Sequence, residues 1–403
     1  MSKKIIICTA LLMIIVIAVL VLPKLLRKNE RVGGSETVFC SFNSSINENG
    51  RLYLGDHNIR FTDFNSMEDI VLCSKPNCLH ERETSENPEP DCYAVYSGGT
   101  VSALGIYEGY LYVILDRLDV ANKAVVYRSD LDGSNRIKIT EMDSSTRHIN
   151  AIFTGGKIYT EGIIYEMEED GYTNTGRSRS YILCIDINER TWSVITPEKE
   201  GYSSGILLLG MYENKLYYRH NYMDQRFNID DPSANIFYDH VYEYDISTGQ
   251  ETLLEFADQL YDMKVYGSSL YYIEIEEHSG LKNIYRFHID TGEQELLLSS
   301  LDIHSFKFLD NKMFYILGEY DGGYVQYTNT RGFYYDIDTG ETSELPYGSE
   351  VTAKIVLDAE TSDRFIVTFL EYVDGVGGGN NKSGWIYKED YYNGSLNFHL
   401  VAE

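Results

Sequence analysis

Short stretches alternating apolar and polar residues recur along the whole chain, each opened by a turn and filled with aromatic side chains. One set reads GRLYL from Gly50, GYLYV from Gly109, GKIYT from Gly156, NKLYY from Asn214, SSLYY from Ser268, NKMFY from Asn311 and DRFIV from Asp363. The seven copies are spaced roughly 45 to 60 residues apart, the range of propeller blades. Downstream of five of them comes a second strand with matching alternate positions, such as Tyr242, Tyr244 and Ile246 in VYEYDISTGQE, or Phe333, Tyr335 and Ile337 in FYYDIDTGETS. Period two marks a strand, and each of these ends in a cluster of Asp, Asn, Thr and Gly followed by a short return strand such as ETLLEF or EQELLL.

With an apolar lead strand such as ILLLGMY, each unit supplies four strands. Four-stranded antiparallel units repeated radially make a β-propeller, which limits exposed sheet edges. The sequence therefore predicts an all-β protein of about seven four-stranded blades over residues 36–403, beginning near Glu36 and finishing with LNFHLVA. Aromatics on both faces of one strand fit a blade, because neighbouring blades cover both faces. A row of separate sandwich domains is the alternative, and the absence of Pro-rich linkers argues against it. Within this pattern YDIDTGE, Tyr335 to Glu341, reads as a turn and not as a cation loop. It belongs to a series with DISTG, HIDTG and DLDGS, in which Gly supplies the positive φ of a hairpin and Asp caps its own turn. One copy carries His288 in place of the first aspartate, which a shared cation site tolerates poorly.

The pattern breaks at the amino end. Ile5 to Leu22 carries no charge and is just long enough to cross a hydrocarbon core of roughly 30 Å. A cleaved signal peptide is the rival, but its apolar region is usually shorter, and no A-x-A-like site follows before Lys24. Residues 1–31 thus read as one N-terminal transmembrane helix with a basic flank, contacting the membrane through residues 5–22. Counting Lys3 and Lys4 against Lys24, Arg27, Lys28 and Arg31, the positive-inside rule would hold the large domain in the cytoplasm. Short basic leaders before an apolar run resemble bacterial signal anchors, and long domains translocate largely regardless of charge, so the expectation is an extracytoplasmic propeller at the cell membrane.

Composition narrows the partners. Tyrosine reaches 35 residues against 7 prolines and 2 tryptophans, which favours strands. The formal charge is −28, and because the first thirty-one residues hold six basic residues and one acid, the remainder carries −33. Nucleic acid is excluded as a partner, since phosphate binding needs a basic face. Anionic lipid or wall polymer is repelled unless cations bridge; the acid otherwise makes a solvated surface.

Several motifs suggest chemistry and fail on context. GYSSG, Gly201 to Gly205, matches a nucleophile elbow, but no strand-then-helix pattern surrounds it, and it reads as an inter-blade loop. GVGGGNN from Gly375 lacks the last glycine of a dinucleotide fingerprint and reads as a flexible loop. Tyr222 to His240 reads as a long polar insertion in one blade, where Asp224, Asp230, Asp231 and Asp239 are more simply solvated acids than a cation or sugar site.

The specific cluster is VLCSKPNCLHERETSENPEPDCYA, which crowds Cys73, Cys78, His80 and Cys92 into a loop over 73–92. CSKPNCLH followed by Cys92 resembles a segment of uncharacterised, membrane-anchored β-propeller proteins of Gram-positive bacteria, where a C-x-K-P-N-C-x-H run with a further cysteine follows the first blade. The resemblance implies a surface protein with no assigned activity. The D-I-x-T-G hairpins also resemble those of quinone-cofactor propeller enzymes, but the tryptophan after the turn is absent except at Trp192, so that cofactor is rejected. Three thiolates and one imidazole fill a closed tetrahedral site, and Cys73, Cys78, His80 and Cys92 are the expected ligands of one structural zinc. A disulfide is the rival in oxidising surroundings, leaving one of the three cysteines over, with Cys40 as its candidate partner. Cys184, on an aromatic strand, is a buried apolar residue.

These readings point to a non-enzymatic propeller that binds a peptide, glycan or protein partner on one face. The alternative is a surface enzyme acting on glycans with a pair of carboxylates in the central channel, and a third is a structural part of a larger membrane complex.

Overall fold

In the computed structural model each repeat folds into a four-stranded antiparallel blade, and some blades are joined into a larger sheet. The structure describes residues 37–401 apart from 42–43, 48, 118–121, 147–149, 170–173, 232–233, 257–259, 277–278, 321–326, 349–354, 370–381 and 396. The apolar run Ile5–Leu22, its basic flank and GVGGGNN lie outside these residues. Among the described residues no helix is long and apolar enough to cross a membrane.

Seven blades follow in chain order, and each begins with a lead strand: Ser44–Asn47, Gly99–Tyr107, Asn150–Thr154, Lys199–Tyr212, Leu260–Tyr266, Ile303–Leu309 and Ile355–Glu360. Each lead strand pairs with the next strand of its blade, and the order continues outward in sequence. The landmark strands are second in every blade. Their consecutive aromatics are buried on both faces, as Tyr217 and Tyr218 in blade 4 and Tyr271 and Tyr272 in blade 5 show. A lone antiparallel sheet would have left one of each pair in water.

One apolar seam joins each pair of neighbours. The seam of blades 2 and 3 centres on Tyr107, Tyr112 and Phe153. That of blades 5 and 6 holds Tyr271, Phe306 and Tyr315, and that of blades 6 and 7 holds Phe314, Phe365 and Tyr391. Phe64 and Met67 of blade 1 meet Ala359 and Ile366 of blade 7, which closes the ring. Each large side chain buried this way contributes about 1.5 to 3 kcal/mol. In blade 7 the turn before the last strand, His399–Leu400, is replaced by a short helix, Lys388–Asn393, whose Tyr391 enters the seam.

The hairpin turns behave as the sequence predicts. Asp245 Oδ1 accepts the amides of Ser247 and Thr248 at 2.8 and 3.1 Å, and Asp336 Oδ1 those of Asp338 and Thr339 at 3.1 and 2.9 Å. Gly249 and Gly340 take φ of 70° and 73° and return their N–H to the carbonyl of that same aspartate. In the His288 copy the backbone bond from Gly292 persists without a side-chain cap, so the series is a turn.

Three expectations need correction. A strand ahead of blade 1, Val38–Ser41, was not anticipated: it pairs with the lead strand of blade 1 on one side and that of blade 3 on the other. It lies across the lead strand of blade 2, where the Leu104 amide donates to Cys40 Sγ at 3.3 Å. GYSSG is no inter-blade loop but part of the strand Lys199–Tyr212, whose first residues pair with Arg177–Ser180 of blade 3; a strand continues after it where a nucleophile elbow needs a helix. The polar insertion is also shorter than Tyr222 to His240, because strands run to Met223 and resume at Tyr238. Asp239 is correspondingly buried and ion-paired to Arg219 at 3.0 Å.

Candidate metal centre and central channel

Blade 1 ends at Val71, and the chain then runs without regular structure to Gly99. Such a segment has no ladder to hold it and must be fastened by side chains. At its start Cys73 donates its amide to the Val71 carbonyl at 2.7 Å, and the chain turns back through Asn77 and His80, both left-handed with φ of 59° and 53°. At its far end Cys92, Ala94 and Val95 pack against Cys73 and Cys78. The sulfur atoms of Cys73, Cys78 and Cys92 and a ring nitrogen of His80 all fall within 4.8 Å of one another. His80 Nδ1 lies 3.4 Å from Cys92 Sγ.

This arrangement fits a metal ion. In a tetrahedral site with Zn–S near 2.3 Å, neighbouring sulfurs stand about 3.8 Å apart, so little contraction is needed. Burial pushes the Cys73 thiol up, but hydrogen bonds from the Lys75 and Tyr93 backbone and from Cys78 and Cys92 outweigh it and leave this thiol lowered. Burial above all, and then the neighbouring sulfurs, pushes Cys92 up to about 12. Thiolate charges this close repel one another, and a dication among them removes that conflict. The chemistry such an ion supplies is structural cross-linking, since all four positions are filled from the protein. Behind the cluster, His57 Nε2 donates to the carbonyl of His80 at 2.8 Å and fixes the ligand's backbone.

The cluster also sets where blade 1 meets blade 2. Ile59 donates to the Ala94 carbonyl at 2.9 Å, which docks the loop on blade 1. From blade 2, Arg136 reaches the carbonyls of Tyr93 and Val95 at 2.7 and 3.1 Å and lies over the Tyr96 ring. Ser74 donates to Asp132, and Gly133 passes so near the loop that a Cβ there would meet the Tyr93 oxygen at 2.5 Å. The disulfide reading that involves Cys40 is overturned: Cys40 is fully buried in the seam of blades 2 and 3, away from the loop, and all five described cysteines are free. Cys184 is buried between blades 3 and 4, as expected.

A second feature lies on the ring axis. The lead strands of blades 1 and 3 to 7, with Val38–Ser41, enclose a cavity of about 980 Å³. Its charged lining is Arg51, Asp262, Lys264, Lys307 and Asp358. Arg51 pairs with Asp358 at 3.4 Å, and Lys264 with Asp262 at 3.2 Å. Sequence reasoning missed these residues, because which positions face the axis depends on bulges in the lead strands, such as those between Leu260 and Met263 and between Leu357 and Ala359.

No family model and no curated protein matches the chain. Solved structures do resemble it. An acylaminoacyl peptidase of Pyrococcus horikoshii aligns with a TM-score of 0.51 and 12% identity over 91% of this chain and 52% of its own. An oligogalacturonate lyase of Vibrio parahaemolyticus aligns with a TM-score of 0.48 and 12% identity over 88% and 92%. The β-propeller domain of the trilobed protease of Pyrococcus furiosus aligns with a TM-score of 0.44 and 12% identity over 76% and 84%. The chain spans about half the length of the acylaminoacyl peptidase. At such identities a likeness bears on fold alone.

Proposed function

We propose that the protein is a non-enzymatic, membrane-anchored β-propeller that faces outward from the cell and binds a peptide, glycan or protein partner at its central channel. The observation that supports binding is the cavity itself: about 980 Å³, framed by rigid lead strands and lined by both apolar and charged groups, at the upper end of the range of ligand sites. Catalysis on glycans, the second reading, draws on Asp262 and Asp358. Each is tied to a cation, and Asp358 also accepts from Thr368, so neither stands ready as acid and base. The Cys/His loop holds a structural zinc in this reading and takes no part in the binding step. The uncharged run from Ile5 to Leu22 supports anchorage.

Affinity capture of the full-length protein from native membranes, with protease treatment of intact cells, tests both parts. A partner lost when channel residues are changed, and a propeller removed by protease to leave a small membrane fragment, are the expected results. Hydrolysis of wall or host glycans that disappears in Asp262→Asn or Asp358→Asn would replace binding by catalysis. Complete protection of the propeller in cells whose wall admits protease would overturn the outward orientation.

A further inference from the structure

We infer that the channel receives a ligand bearing a carboxylate, seated against the ammonium of Lys307. The inference rests on the proposed binding role of the channel and adds the chemistry of what binds.

Charge pairing in the cavity is incomplete. Three cations face two acids there, although the protein as a whole carries −28. Arg51 is engaged by Asp358 and by Ser44 Oγ at 3.3 Å. Lys264 is engaged by Asp262 and donates to the Phe306 carbonyl. Among the described residues nothing forms an ion pair or hydrogen bond with the Lys307 side chain, which lines both the channel and a smaller cavity of about 280 Å³ between blades 6 and 7. Lys307 is half-buried, and the acid whose charge acts on it, Asp358, is already paired with Arg51, so a bound anion would supply the counter-charge that the lining lacks. The single uncompensated charge calls for a single anionic group, and the size of the cavity leaves room for a sugar acid or an acidic peptide side chain around it.

The environment of Lys307 explains how the site responds to pH. Burial lowers its pKa to about 8; Asp358 opposes the shift, and Lys264 and Arg51 add to it. On the channel side its titratable neighbours are Arg51, Asp262, Lys264, Tyr266 and Asp358. On the inter-blade side they are Tyr315, Tyr347 and Tyr391, whose hydroxyls burial pushes upward, so they stay neutral where Lys307 titrates. Lys307 is therefore charged and attractive to a carboxylate below about pH 8 and loses that attraction above it.

The test measures binding of two matched pairs of probes to the full-length protein by calorimetry: glucuronate against glucose, and N-acetylglutamate amide against N-acetylglutamine amide. At least one acid is expected to bind above its neutral partner. Lys307→Met should weaken that binding about tenfold or more, the scale on which truncating one member of a desolvated pair acts. Lys307→Arg should keep it, and should also keep it at pH 9, where the native protein has lost it. Whichever acid prevails separates the sugar source from the peptide source. Equal binding of acid and neutral partner, or binding unchanged in Lys307→Met, would overturn the carboxylate inference while leaving the channel as a binding site. Absence of binding by all four probes, with a native partner still captured from membranes, would overturn the inference alone; absence of both would overturn the channel reading as well.

Discussion

Blades 1 to 4 and blades 5 to 7 use the same repeat but are joined differently. In the first group the strand Val38–Ser41 links blade 1 to blade 3, and Lys199–Tyr202 links blade 4 to blade 3, so blades 1, 3 and 4 form one thirteen-stranded sheet wrapped around blade 2. In the second group each blade is a separate sheet, and side chains hold neighbours together: apolar seams, with polar contacts such as Lys282 on the Ile303 carbonyl and Lys388 on Asp310. The seam of blades 2 and 3 contains seventeen buried residues, whereas the closing seam of blades 7 and 1 contains four. Ring closure in this protein thus has its smallest apolar seam where the first blade meets the last, with the Arg51–Asp358 ion pair across it. Directional backbone bonds resist sliding as well as separation, while a small apolar seam resists separation only.

The strongest challenge to this contrast is truncation on each side of it. Phe153→Ala, in the stitched group, is expected to lower global stability by about 3 to 5 kcal/mol, the usual cost of emptying a core aromatic site. Ile366→Ala, in the closing seam, should cost about 2 kcal/mol and show mainly as faster hydrogen exchange in Phe64–Met67 and Arg364–Phe369 at unchanged exchange elsewhere. Equal global losses in denaturant melts, with uniform exchange, would remove the distinction.

A pH test sharpens it. Glu161 is wholly buried beside the blade 3 and 4 junction, accepting the amides of Leu208 and Asn150, and burial raises its pKa to about 8. The folded state therefore keeps a proton that the unfolded chain loses near pH 4.5. Stability should fall as pH rises between about 4.5 and 8, by up to about 1.4 kcal/mol per unit, about 5 kcal/mol in total as an upper bound, and level off above. Glu161→Gln should flatten that slope and be more stable than the native protein at pH 8. Melting curves across pH would show an unchanged slope if Glu161 were ionised in the fold.

Metal removal probes the loop that joins blades 1 and 2, which the proposed ion would hold closed. Protein purified without reductant should contain one zinc and three titratable thiols in the loop; chelation, or Cys92→Ser, should cost about 2 to 3 kcal/mol, the scale of opening a closed loop of this length. The same treatment should expose 81–91 to protease. A metal-free preparation with two of these sulfurs oxidised would refute the site. The smallest effect belongs to the turns: Asp336→Ala should cost about 1 kcal/mol, the typical loss of one capping side chain, and substitution of His288 almost nothing.

Much of this was legible in the sequence because period two, aromatic density and Asp-Gly turns are local properties. They located the seven blades among the described residues, and the crowding of Cys73, Cys78, His80 and Cys92 located the cluster. What escaped was set by pairing between distant segments. Val38–Ser41 is too short and mixed to read as a strand, and its place depends on Asn150–Phe153. GYSSG looks like a loop because Gly and Ser are turn residues, yet the neighbouring strand Asn174–Asp186 extends far enough to pair with it. Lys307 gave no signal, since a lysine in a lead strand looks like any surface cation until the ring encloses it.

The stitch at Val38–Ser41 also fixes how the molecule carries mechanical load. Any pull on the chain ahead of Thr37 enters through this strand, and four residue pairs from Val38↔Phe153 to Ser41↔Asn150 pass it to blade 3 while Cys40↔Ser45 and Ser41↔Ser44 pass it to blade 1. Tension is divided between two non-adjacent blades before it reaches the small closing seam. Because rupture under force follows the unfolding rate of the first element to give way, the propeller is guarded against opening from its amino end, whereas among the described residues a pull on the carboxyl end meets the two pairs of His399–Leu400 with Gly384 and Trp385 and the Val401 amide on the Ser383 carbonyl, and would peel the last blade first.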